Sequence, residues 1–294
     1  MKEAYRITEA MFADKVRNDK DLFLPGTRVA VEDERPAALL VTKLSDNSLP
    51  EYQNTAWISL LLTDAPFRRR GFASRLYLEA ERRLREAGVR KIIVAGEMDN
   101  FYSGIPNPDA VSAGFFGKMG FTLNTEHHFD LVNDVSRIDF ETQKVPLCGD
   151  PEYDTRPFHF SDMPELRRFF ASEFPGRWEQ EVVGYLEAGG NPAFLLVMVR
   201  GGTVEGFCRV SVHHGAREAS PYFGEDWGSL GPIGIAESAR GRGLGNRILR
   251  DSLRYLQRIG AHNVNIDWTI LRGFYGQFGF EPWRTYLGAY KEWN

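Results

Sequence analysis

The sequence predicts two consecutive domains of the α/β or α+β class, in which strands are mixed with helices. Three observations predict this fold class. The chain has 294 residues, which is about the length of two average domains. Each half contains an apolar strand, a glycine-containing loop, a long amphipathic helix and a second strand in the same order. A motif rich in aromatic residues then follows in each half.

The first copy of the repeat begins with the apolar run Trp57 to Leu62, which predicts a buried strand. The loop Arg68-Arg69-Arg70-Gly71-Phe72-Ala73 follows it. From Phe72 to Ala87, apolar residues recur at spacings of three and four, so this segment is predicted to be a helix that ends at Gly88. The run Lys91 to Ala95 predicts the next strand.

The second copy has its strand at Gly231 to Ile235 and its loop at Arg240-Gly241-Arg242-Gly243-Leu244-Gly245. A helical pattern runs from Leu244 to Ile259 and ends at Gly260. A strand is predicted at Val264 to Trp268. Both loops fit the pattern Arg-x-x-Gly-x-small, so the two halves are predicted to share one fold.

The aromatic motif is Phe115 to Phe121 in the first half and Phe274 to Phe280 in the second, and it aligns Phe116 with Tyr275. The first half carries 13 additional residues before this motif, which we assign to Met98 to Ala110. Glycine and proline residues predict that this insertion is a loop.

The boundary between the domains is predicted in the turn-rich stretch Val145 to Pro151, which gives domains of residues 1–147 and 151–294. After the boundary, Ser161 is predicted to cap a helix that has Pro164 in its first turn. The remaining strands are predicted at Thr27 to Val31, Ala37 to Val41, Thr155 to Phe160, Phe194 to Val199 and Val204 to Val212.

Composition excludes several classes of function. With 36 basic and 40 acidic side chains, the formal net charge is −4, which provides no general attraction to nucleic acid or to an anionic membrane. The longest apolar stretch, Ala193 to Val199, has 7 residues, whereas a membrane-spanning helix needs about 20. Neither a secretory signal nor a disulfide framework is expected, since no apolar block follows the charged N-terminus and Cys148 and Cys208 are the only cysteines. These features predict a cytoplasmic protein.

The histidines do not predict a metal site. His127 and His128 are adjacent, as are His213 and His214, and neighbours on a strand point to opposite faces. Neither pair can therefore chelate one ion, and we expect no metal. The arginines Arg68 to Arg70 are better explained by the phosphates of a small ligand than by nucleic acid, because no aromatic residues are interleaved with them.

Each of the two loops connects a strand to the N-terminus of a helix with little side-chain bulk. Such a connection exposes backbone N–H groups at the positive end of a helix dipole, a geometry that binds phosphate. We therefore predict a pyrophosphate site in which Gly243 and Gly245 admit the anion and Arg240 or Arg242 adds positive charge. The alternative is a tight turn with solvated arginines, but two copies in register favour the phosphate site.

Other motifs fit the sequence less well. Neither half has the Gly-Lys-Ser/Thr end of a Walker loop. A dinucleotide fingerprint would need a third glycine where Asn246 stands, although Asp267 lies near the place of a ribose-binding acid, so a nicotinamide site stays open. The dipeptide Gly228-Ser229 is one residue out of phase with a nucleophile elbow, which disfavours a serine hydrolase.

The repeated motifs resemble those of the GNAT superfamily of acyl-CoA-dependent N-acetyltransferases. The shared pattern is Arg-x-x-Gly-x-Gly/Ala after an apolar strand, then a helix, a strand and Phe-Tyr-x-x-x-Gly-Phe, and it occurs in both halves with Phe116 in place of the tyrosine in the first. The resemblance implies a tandem GNAT protein in which each mixed sheet splays between its fourth and fifth strands. Acetyl-CoA would bind in that cleft as the co-substrate.

In the second half, the resemblance implies that the strand backbone at Ile233 and Ile235 pairs with the pantetheine arm. The loop Arg240 to Gly245 would hold the pyrophosphate, and Tyr275 corresponds to the tyrosine that protonates the departing thiolate. Phe116 has no hydroxyl and cannot donate that proton. The second domain is therefore expected to be catalytic.

The first domain is expected to be catalytically degenerate or to form part of the substrate cleft. Its loop keeps Arg68, Arg70, Gly71 and Ala73. The family tolerates alanine at the last of these positions, so the resemblance allows cofactor binding to survive there.

Acyl transfer to an amine needs a base, an oxyanion donor and an acid. Asp267 is the candidate base or ammonium contact because an unpaired carboxylate is costly to bury in an apolar strand, and the alternative is a capping residue at the strand end. Glu225 and Asp226 are predicted to border the same cleft, and Trp227 and Trp268 to pack on a sugar ring. Solvated acids and packed indoles are the alternatives.

Short strings narrow the resemblance to tandem proteins that acetylate glucosamine and glucosaminides in bacterial cell-wall recycling; they are Trp227 to Ile235, Ile266 to Thr269 and Gly104-Ile105-Pro106. An amino sugar is thus the expected small-molecule acceptor. Aminoglycosides, polyamines and peptide N-termini are alternative acceptors. A non-catalytic CoA-sensing or scaffolding protein is the alternative from another functional class, and the sequence predicts no oligomeric state.

Overall fold

The computed structural model describes residues 5–106, 110–214 and 222–293. The chain forms two compact units: unit 1 consists of Met1–Phe129 and Arg284–Asn294, and unit 2 of Asp130–Trp283. Each unit contains a mixed sheet with flanking helices, as the sequence predicts. Within the described ranges, no helix has the length and apolar character needed to span a bilayer.

The division into units differs from the predicted domain boundary, because residues 147 and 151 both lie inside unit 2. Two features of the fold cause the difference. The last strand of the chain joins the sheet of unit 1, and the segment around Pro146 and Asp150 packs on a helix of unit 2. The domains of residues 1–147 and 151–294 describe the two copies of the sequence repeat, and as domain bounds they stay a prediction.

Unit 1 is built on strands of the first half and on the last strand of the chain. The elements are α1 (Glu9–Phe12), β1 (Arg28–Glu32), β2 (Arg35–Leu44), β3 (Thr55–Thr63), α2 (Phe72–Glu86), β4 (Lys91–Val94), β5 (Ile105–Pro106), α3 (Ala110–Lys118), β6 (Thr122–Asp134) and β12 (Glu281–Glu292). Strands β1, β2 and β3 pair antiparallel, β3 and β4 pair parallel, and β12 pairs antiparallel with β4 and β5. The limit between the units falls inside β6 and inside β12.

Helix α2 covers the unit 1 sheet with its apolar face. Its buried side chains pack in one cluster with Leu40, Ile58 and Ile92 of the strands; they are Phe72, Leu76, Tyr77, Ala80 and Leu84. The helix closes at Gly88, as predicted. This packing fixes the start of α2, and with it the preceding loop, beside the end of β3.

Unit 2 has the same arrangement. Its elements are β7 (Tyr153–Pro157), α4 (Met163–Glu173), α5 (Arg177–Glu179), α6 (Tyr185–Glu187), β8 (Leu195–Arg200), β9 (Thr203–His213), β10 (Trp227–Ile235), α7 (Leu244–Arg258), β11 (Asn263–Thr269) and α8 (Arg272–Gly276). Its strands pair in the order β7-β8-β9-β10-β11, antiparallel except for the parallel pair β10 and β11. The resemblance implies a splay between the fourth and fifth strands, which in unit 2 are the parallel pair β10 and β11. In unit 1 the parallel pair is the third and fourth strands, β3 and β4.

A β-bulge interrupts the strand before each glycine loop. In unit 1 the register of β2 with β3 shifts at Ser59, and in unit 2 the register of β9 with β10 shifts after Leu230, around Gly231. Ser59 precedes Arg68 by nine residues, and Gly231 precedes Arg240 by nine. The two halves thus share the position of the β-bulge as well as the sequence motifs.

The start of α4 differs from the prediction, because Ser161 does not cap this helix. A 3₁₀ turn, Phe160–Asp162, precedes Met163, and the carboxylate of its last residue accepts a hydrogen bond of 2.9 Å from the His159 N–H. The same turn ends the predicted strand early, so that β7 stops at Pro157.

The predicted loop insertion, Met98 to Ala110, contains the two-residue strand β5. Gly104 lies just before β5 in a backbone conformation with φ 157°, and a β-carbon there would lie 2.8 Å from the Leu287 carbonyl oxygen of β12. Residues 107–109 of the insertion lie outside the described residues. The close approach to β12 explains why a glycine stands in this loop.

Candidate active site

Strand β10 separates from β11 part-way along its length. Its pairing with β9 continues to Ile235, but its ladder with β11 contains only Gly228 and Ser229. Ile233 and Ile235 therefore pair with β9 on one side, and on the other side their edge of β10 carries no ladder bond among the described residues. An open strand edge of this kind can accept an extended ligand by backbone hydrogen bonds.

Tyr275 lies in the short helix α8, buried next to this opening, with 5% of its surface exposed. Burial raises the pKa of its hydroxyl above the ordinary value, and the nearby Cys208 and Asp267 raise it further, whereas a hydrogen bond with Thr269 acts in the opposite direction. The phenol therefore keeps its proton throughout the neutral range. It can act as a hydrogen-bond donor or as an acid there.

Asp267 is solvent-exposed on β11, in contrast to the buried setting that its apolar surroundings predict. A β-carbon on Gly231 would lie 4.0 Å from the Asp267 Oδ1, so the carboxylate reaches the bulge of β10. The structure thus brings together an exposed carboxylate, the buried phenol of Tyr275 and the open edge of β10. Both neighbouring residues, Ile266 and Trp268, are more buried than Asp267.

The loop before α7 has the backbone that an anion site requires. Gly241 and Gly243 have φ angles of 75° and 78°, in the left-handed region that favours glycine. Gly243 is the N-cap of α7 and supplies no side-chain cap, so the first N–H groups of the helix, from Leu244 and Gly245 onward, are left for a ligand. The Leu244 side chain is buried in the core, so this residue offers the loop only its backbone.

The two arginines of this loop differ in their contacts. Arg240 is exposed and has no side-chain partner within the described part of the chain. Arg242 donates to the Tyr153 hydroxyl at 3.1 Å and lies 3.4 Å from the Asp150 Oδ2. Arg240 is therefore the uncommitted positive charge beside the helix N-terminus.

Sequence reasoning missed that the segment around Cys148 packs on this loop. The Cys148 N–H donates to the Gly243 carbonyl at 3.4 Å, and Asn246 donates to the Pro146 carbonyl at 2.9 Å. Arg247 donates to the Asp150 carbonyl at 2.6 Å. A β-carbon on Gly243 would lie 2.9 Å from the Cys148 nitrogen, so this glycine is required by a close backbone approach as well as by its φ angle.

The loop of unit 1 has the same backbone but an open surface. Gly71 has a φ of 81° and caps α2, and a β-carbon there would meet no atom within 4 Å. Ala73 follows in the first turn of α2. Arg68 donates to the Thr63 carbonyl at 3.1 Å, and Arg70 forms an ion pair of 2.5 Å with a carboxylate of β1, Glu32.

The bulge of unit 1 is filled by its own charged side chains, a second feature that no local sequence pattern indicates. Ser59 donates a short hydrogen bond to Glu97, and both are buried. The Lys43 Nζ lies 3.2 Å from the Glu97 Oε1 and 2.7 Å from the Asp19 Oδ2. Phe116, at the position of Tyr275, packs in the apolar cluster of unit 1.

Trp268 is held within unit 2 by one contact of its backbone and one contact of its ring. Its backbone has a φ of 47°, its N–H donates to the Asp130 Oδ1 at 3.2 Å, and the Arg177 guanidinium lies 4.5 Å from the centre of its ring. Arg177 in turn donates to Glu181 at 2.6 Å. One face of the indole is therefore occupied by a cation, and that face is closed to a sugar ring.

Three further predicted substrate contacts lie at the start of β10. The Asp226 Oδ1 accepts a hydrogen bond of 2.8 Å from the His214 Nδ1, and Glu225 beside it is exposed. Trp227 is stacked on His213 with their ring centroids 4.0 Å apart. Trp227 lies four positions before Gly231 of the bulge. Four positions are about 13 Å along a strand. The structure does not bring Glu225 and Asp226 to Asp267, and their contact with substrate stays a prediction.

Among the described residues, no three His, Cys, Asp or Glu side chains are arranged to hold one metal ion.

Two regions of the chain, residues 2–121 and 163–280, match the model of the acetyltransferase (GNAT) family. The chain belongs to the acetyltransferase (GNAT) family. It is therefore an acyltransferase by family, and the two matched regions correspond to the two copies of the sequence repeat. The open edge of β10, the bulge and the glycine loop are thus parts of a GNAT domain.

Known proteins that resemble the chain include other GNAT proteins. Mycothiol acetyltransferase of Pseudarthrobacter chlorophenolicus is 30% identical over 130 residues, which are 42% of this chain and 36% of that protein. A solved structure described as a glucosamine N-acetyltransferase region of a fungal multi-domain GH3 β-N-acetylglucosaminidase has a TM-score of 0.80 and 22% identity, and covers 96% of this chain and 34% of that one. A tandem GNAT protein from the clavulanic acid pathway has a TM-score of 0.60 and 18% identity, and covers 91% and 84% of the two chains.

These similarities confirm the predicted fold of two tandem GNAT domains. The chain spans about a third of the length of the mycothiol acetyltransferase and of the fungal chain.

Proposed function

We propose that the protein transfers the acetyl group of acetyl-CoA to the primary amine of a small substrate, and that this substrate is glucosamine or a glucosaminide. The observation that carries the proposal is the meeting of Asp267, Tyr275 and the open edge of β10 at one bulge. Family membership supports acyl transfer, and the fold similarity to a region named for glucosamine N-acetylation supports the choice of acceptor.

The residues of unit 2 fit acetyl-CoA. The open edge at Ile233 and Ile235 suits the pantetheine arm, and the uncapped N–H groups after Gly243 together with Arg240 suit the pyrophosphate. A β-carbon on Gly245 would lie 3.6 Å from the ring of Phe274, which is an ordinary van der Waals distance. The first turn of α7 therefore has little side-chain bulk and no close contact at this position. When bound, acetyl-CoA supplies the acetyl group as an activated thioester.

The side chains at the bulge have complementary tasks in this proposal. Asp267 attracts the substrate ammonium, and it receives the ammonium proton directly or through water, because an amine must be neutral to attack a carbonyl carbon. Tyr275 holds a proton on its Oη at neutral pH and gives it to the sulfur as the C–S bond breaks. The substrate nitrogen thus loses two protons on its way to the amide: Asp267 takes the first, and the second, released after the attack, restores the Tyr275 hydroxyl whose proton has gone to the sulfur.

We assign the acetyl transfer to unit 2. Phe116 has no proton to give, and the space around the unit 1 bulge is taken up by the buried groups of Lys43, Glu97 and Asp19. The open loop of unit 1, with Arg68, Gly71 and Ala73, still suits a phosphate-bearing ligand, although Arg70 is engaged with Glu32.

We also propose that the protein works in the cytoplasm. Cys148 and Cys208 are both free thiols. Burial raises the pKa of the Cys208 thiol to about 12, so this thiol stays protonated and unreactive.

The experiment is an amine panel assayed for CoA release in the presence of acetyl-CoA. Glucosamine, chitobiose, an aminoglycoside, a polyamine and a peptide N-terminus are compared, with the Tyr275→Phe protein as a matched control that retains the ring. We expect glucosamine or its oligomers to be the best acceptors. Efficient turnover of the other amines with inert glucosamine would reject the acceptor, and a protein that binds acetyl-CoA but acetylates no amine would point to CoA sensing or scaffolding.

A further inference from the structure

The face of the unit 2 sheet that bears Asp267 also carries a row of polar side chains. Ser229 pairs in register with Ser211 of β9 and with Asn265 of β11, so these three residues lie side by side across three strands. We call them the polar row. Residues two apart on a strand share a face, which puts Asp267 on the same face as Asn265.

The polar row is only half-buried and lies on the face of the sheet opposite helix α7. On the same strands, Gly228, Leu230, Val264 and Ile266 are buried, whereas the members of the row are only half-buried. Helix α7 packs on the sheet with its apolar residues, so the opposite face is the one that bears the row. The row is thus accessible from the side on which Asp267 is exposed.

Ser229 is held in place but keeps unused hydrogen-bonding capacity. Its hydroxyl lies 2.6 Å from the Ser211 hydroxyl, which lies 2.9 Å from the His213 Nε2. His213 is fixed by its stacking on Trp227, and burial lowers the pKa of this imidazole, with His214 lowering it further. Within the described residues, Ser211 is the single partner of the Ser229 hydroxyl, which can make further bonds.

Asn265 presents a fixed donor. Its Oδ1 accepts a hydrogen bond of 3.0 Å from the Trp283 indole, which sets the orientation of the amide. Its Nδ2 has two hydrogens and no hydrogen-bond partner within the described residues. Trp283 is itself packed against Phe223, with ring centroids 4.8 Å apart.

We propose that Ser229 and Asn265 bind hydroxyl groups of the acceptor whose amine binds Asp267, and so make the site select a hydroxylated amine over a plain one. This inference rests on the proposed function. Neighbouring strands are about 5 Å apart and residues two apart on a strand about 7 Å, so a ligand must offer an ammonium and hydroxyls at these separations. A pyranose with an amino group has them on a rigid ring, whereas a polyamine has no hydroxyl. Trp227 then supports the row through His213 and does not itself contact the sugar.

The test measures binding of two amines separately from turnover. Glucosamine and cyclohexylamine, which has the ring and the amine but no hydroxyl, are titrated by ligand-observed NMR against the wild type, Ser229→Ala and Asn265→Ala. Loss of one hydrogen bond to a neutral group is expected to weaken glucosamine binding about three- to tenfold in each variant. Cyclohexylamine affinity is expected to stay within about twofold, and this ligand also reports whether the variant is folded.

The matched control is Ser172→Ala, which removes a serine hydroxyl whose one partner among the described residues is the Phe169 carbonyl of α4, at 3.2 Å. It should affect neither ligand. Equal weakening of both amines in the row variants, unchanged glucosamine binding, or a wild type that binds neither amine would overturn the inference. Failure of the proposed function appears separately, as absent CoA release by a wild-type protein that still discriminates the two amines in binding.

Discussion

The Asp267 carboxylate reaches the bulge of β10 at Gly231, where a β-carbon would lie 4.0 Å from its Oδ1. It is the exposed acidic group at the point where β10 and β11 part. This relationship separates Asp267 from the acids at the start of β10 and makes the roles of the two groups distinguishable by mutation.

Asp267→Asn is expected to lower kcat/KM for the amine at least about tenfold, because the neutral amide loses the attraction for an ammonium and cannot take up its proton. Acetyl-CoA affinity should stay unchanged. Steady-state kinetics and calorimetry check the two parts. Asp226→Asn is the matched control, because that carboxylate is paired with His214 away from the bulge, and an equal loss in the control would contradict the assignment.

Tyr275→Phe is expected to lower kcat by roughly 10² to 10⁴, the range of general acid–base catalysis, if proton donation limits the rate. The buried ring stays, so folding should be little affected. Phe116→Leu in unit 1 should leave the chemistry largely intact. Loss of activity in a stable Phe116→Leu protein with full activity of Tyr275→Phe would show that the wrong unit had been chosen.

Tyr275 should also affect stability at alkaline pH. Burial raises the pKa of its hydroxyl above the value in the unfolded chain, which is about 10. Above that pH the unfolded chain releases the proton first, so the free energy of unfolding falls as the pH rises, whereas below it both states keep the proton. Urea titrations between about pH 8 and 11 should show a steeper fall for the wild type than for Tyr275→Phe. Parallel curves would argue against a buried, protonated phenol.

Arg240→Ala is expected to weaken acetyl-CoA binding roughly tenfold, the loss of one charge-assisted hydrogen bond, and to reduce the salt dependence of binding. Arg240 has no competing partner in the described structure. Calorimetry at two salt concentrations is the measurement. Arg68→Ala, the counterpart in unit 1, tests which loop dominates, and a larger effect of that change would assign the observed binding to unit 1.

The two N-cap glycines should respond unequally to alanine. Both have left-handed φ angles, so each substitution strains the backbone by about 1 kcal/mol. At Gly243 the new β-carbon also meets the Cys148 backbone at 2.9 Å, whereas at Gly71 it meets open space. Chemical denaturation should therefore show a larger loss of stability for Gly243→Ala than for Gly71→Ala. Equal losses of stability would mean that the segment around Cys148 moves away from the new β-carbon at little cost in free energy.

The sequence predicts the parts of the fold that depend on local pattern. The helices after the two loops and the terminating glycines Gly88 and Gly260 follow from periodicity and turn chemistry, and the structure confirms them. The predicted strand Gly231 to Ile235 covers only the second half of β10. The tandem GNAT fold follows from the repeat of these local patterns.

Features that depend on distant partners could not be predicted in this way. Asp267 stands in an apolar run, yet it is exposed, because it lies past the last residue of β11 that pairs with β10. Lys43 meets Asp19 and Glu97 from separate segments, and no periodicity links them. The packing of Cys148 on Gly243 joins residues 95 apart in the sequence.

The pairing of β12 with β4 has a consequence for the order of folding. One edge of β4 pairs with a strand from the end of this sequence. The residues in register are Ile93 with Tyr290, Ile92 with Lys291 and Lys91 with Glu292. A ribosome makes β4 long before it makes β12. During synthesis the sheet of unit 1 must therefore wait for all of unit 2 to emerge, while unit 2 already has every strand from β7 to β11. A fragment cut at residue 147 would present β4 with an unsatisfied edge, which is a template for pairing with another chain.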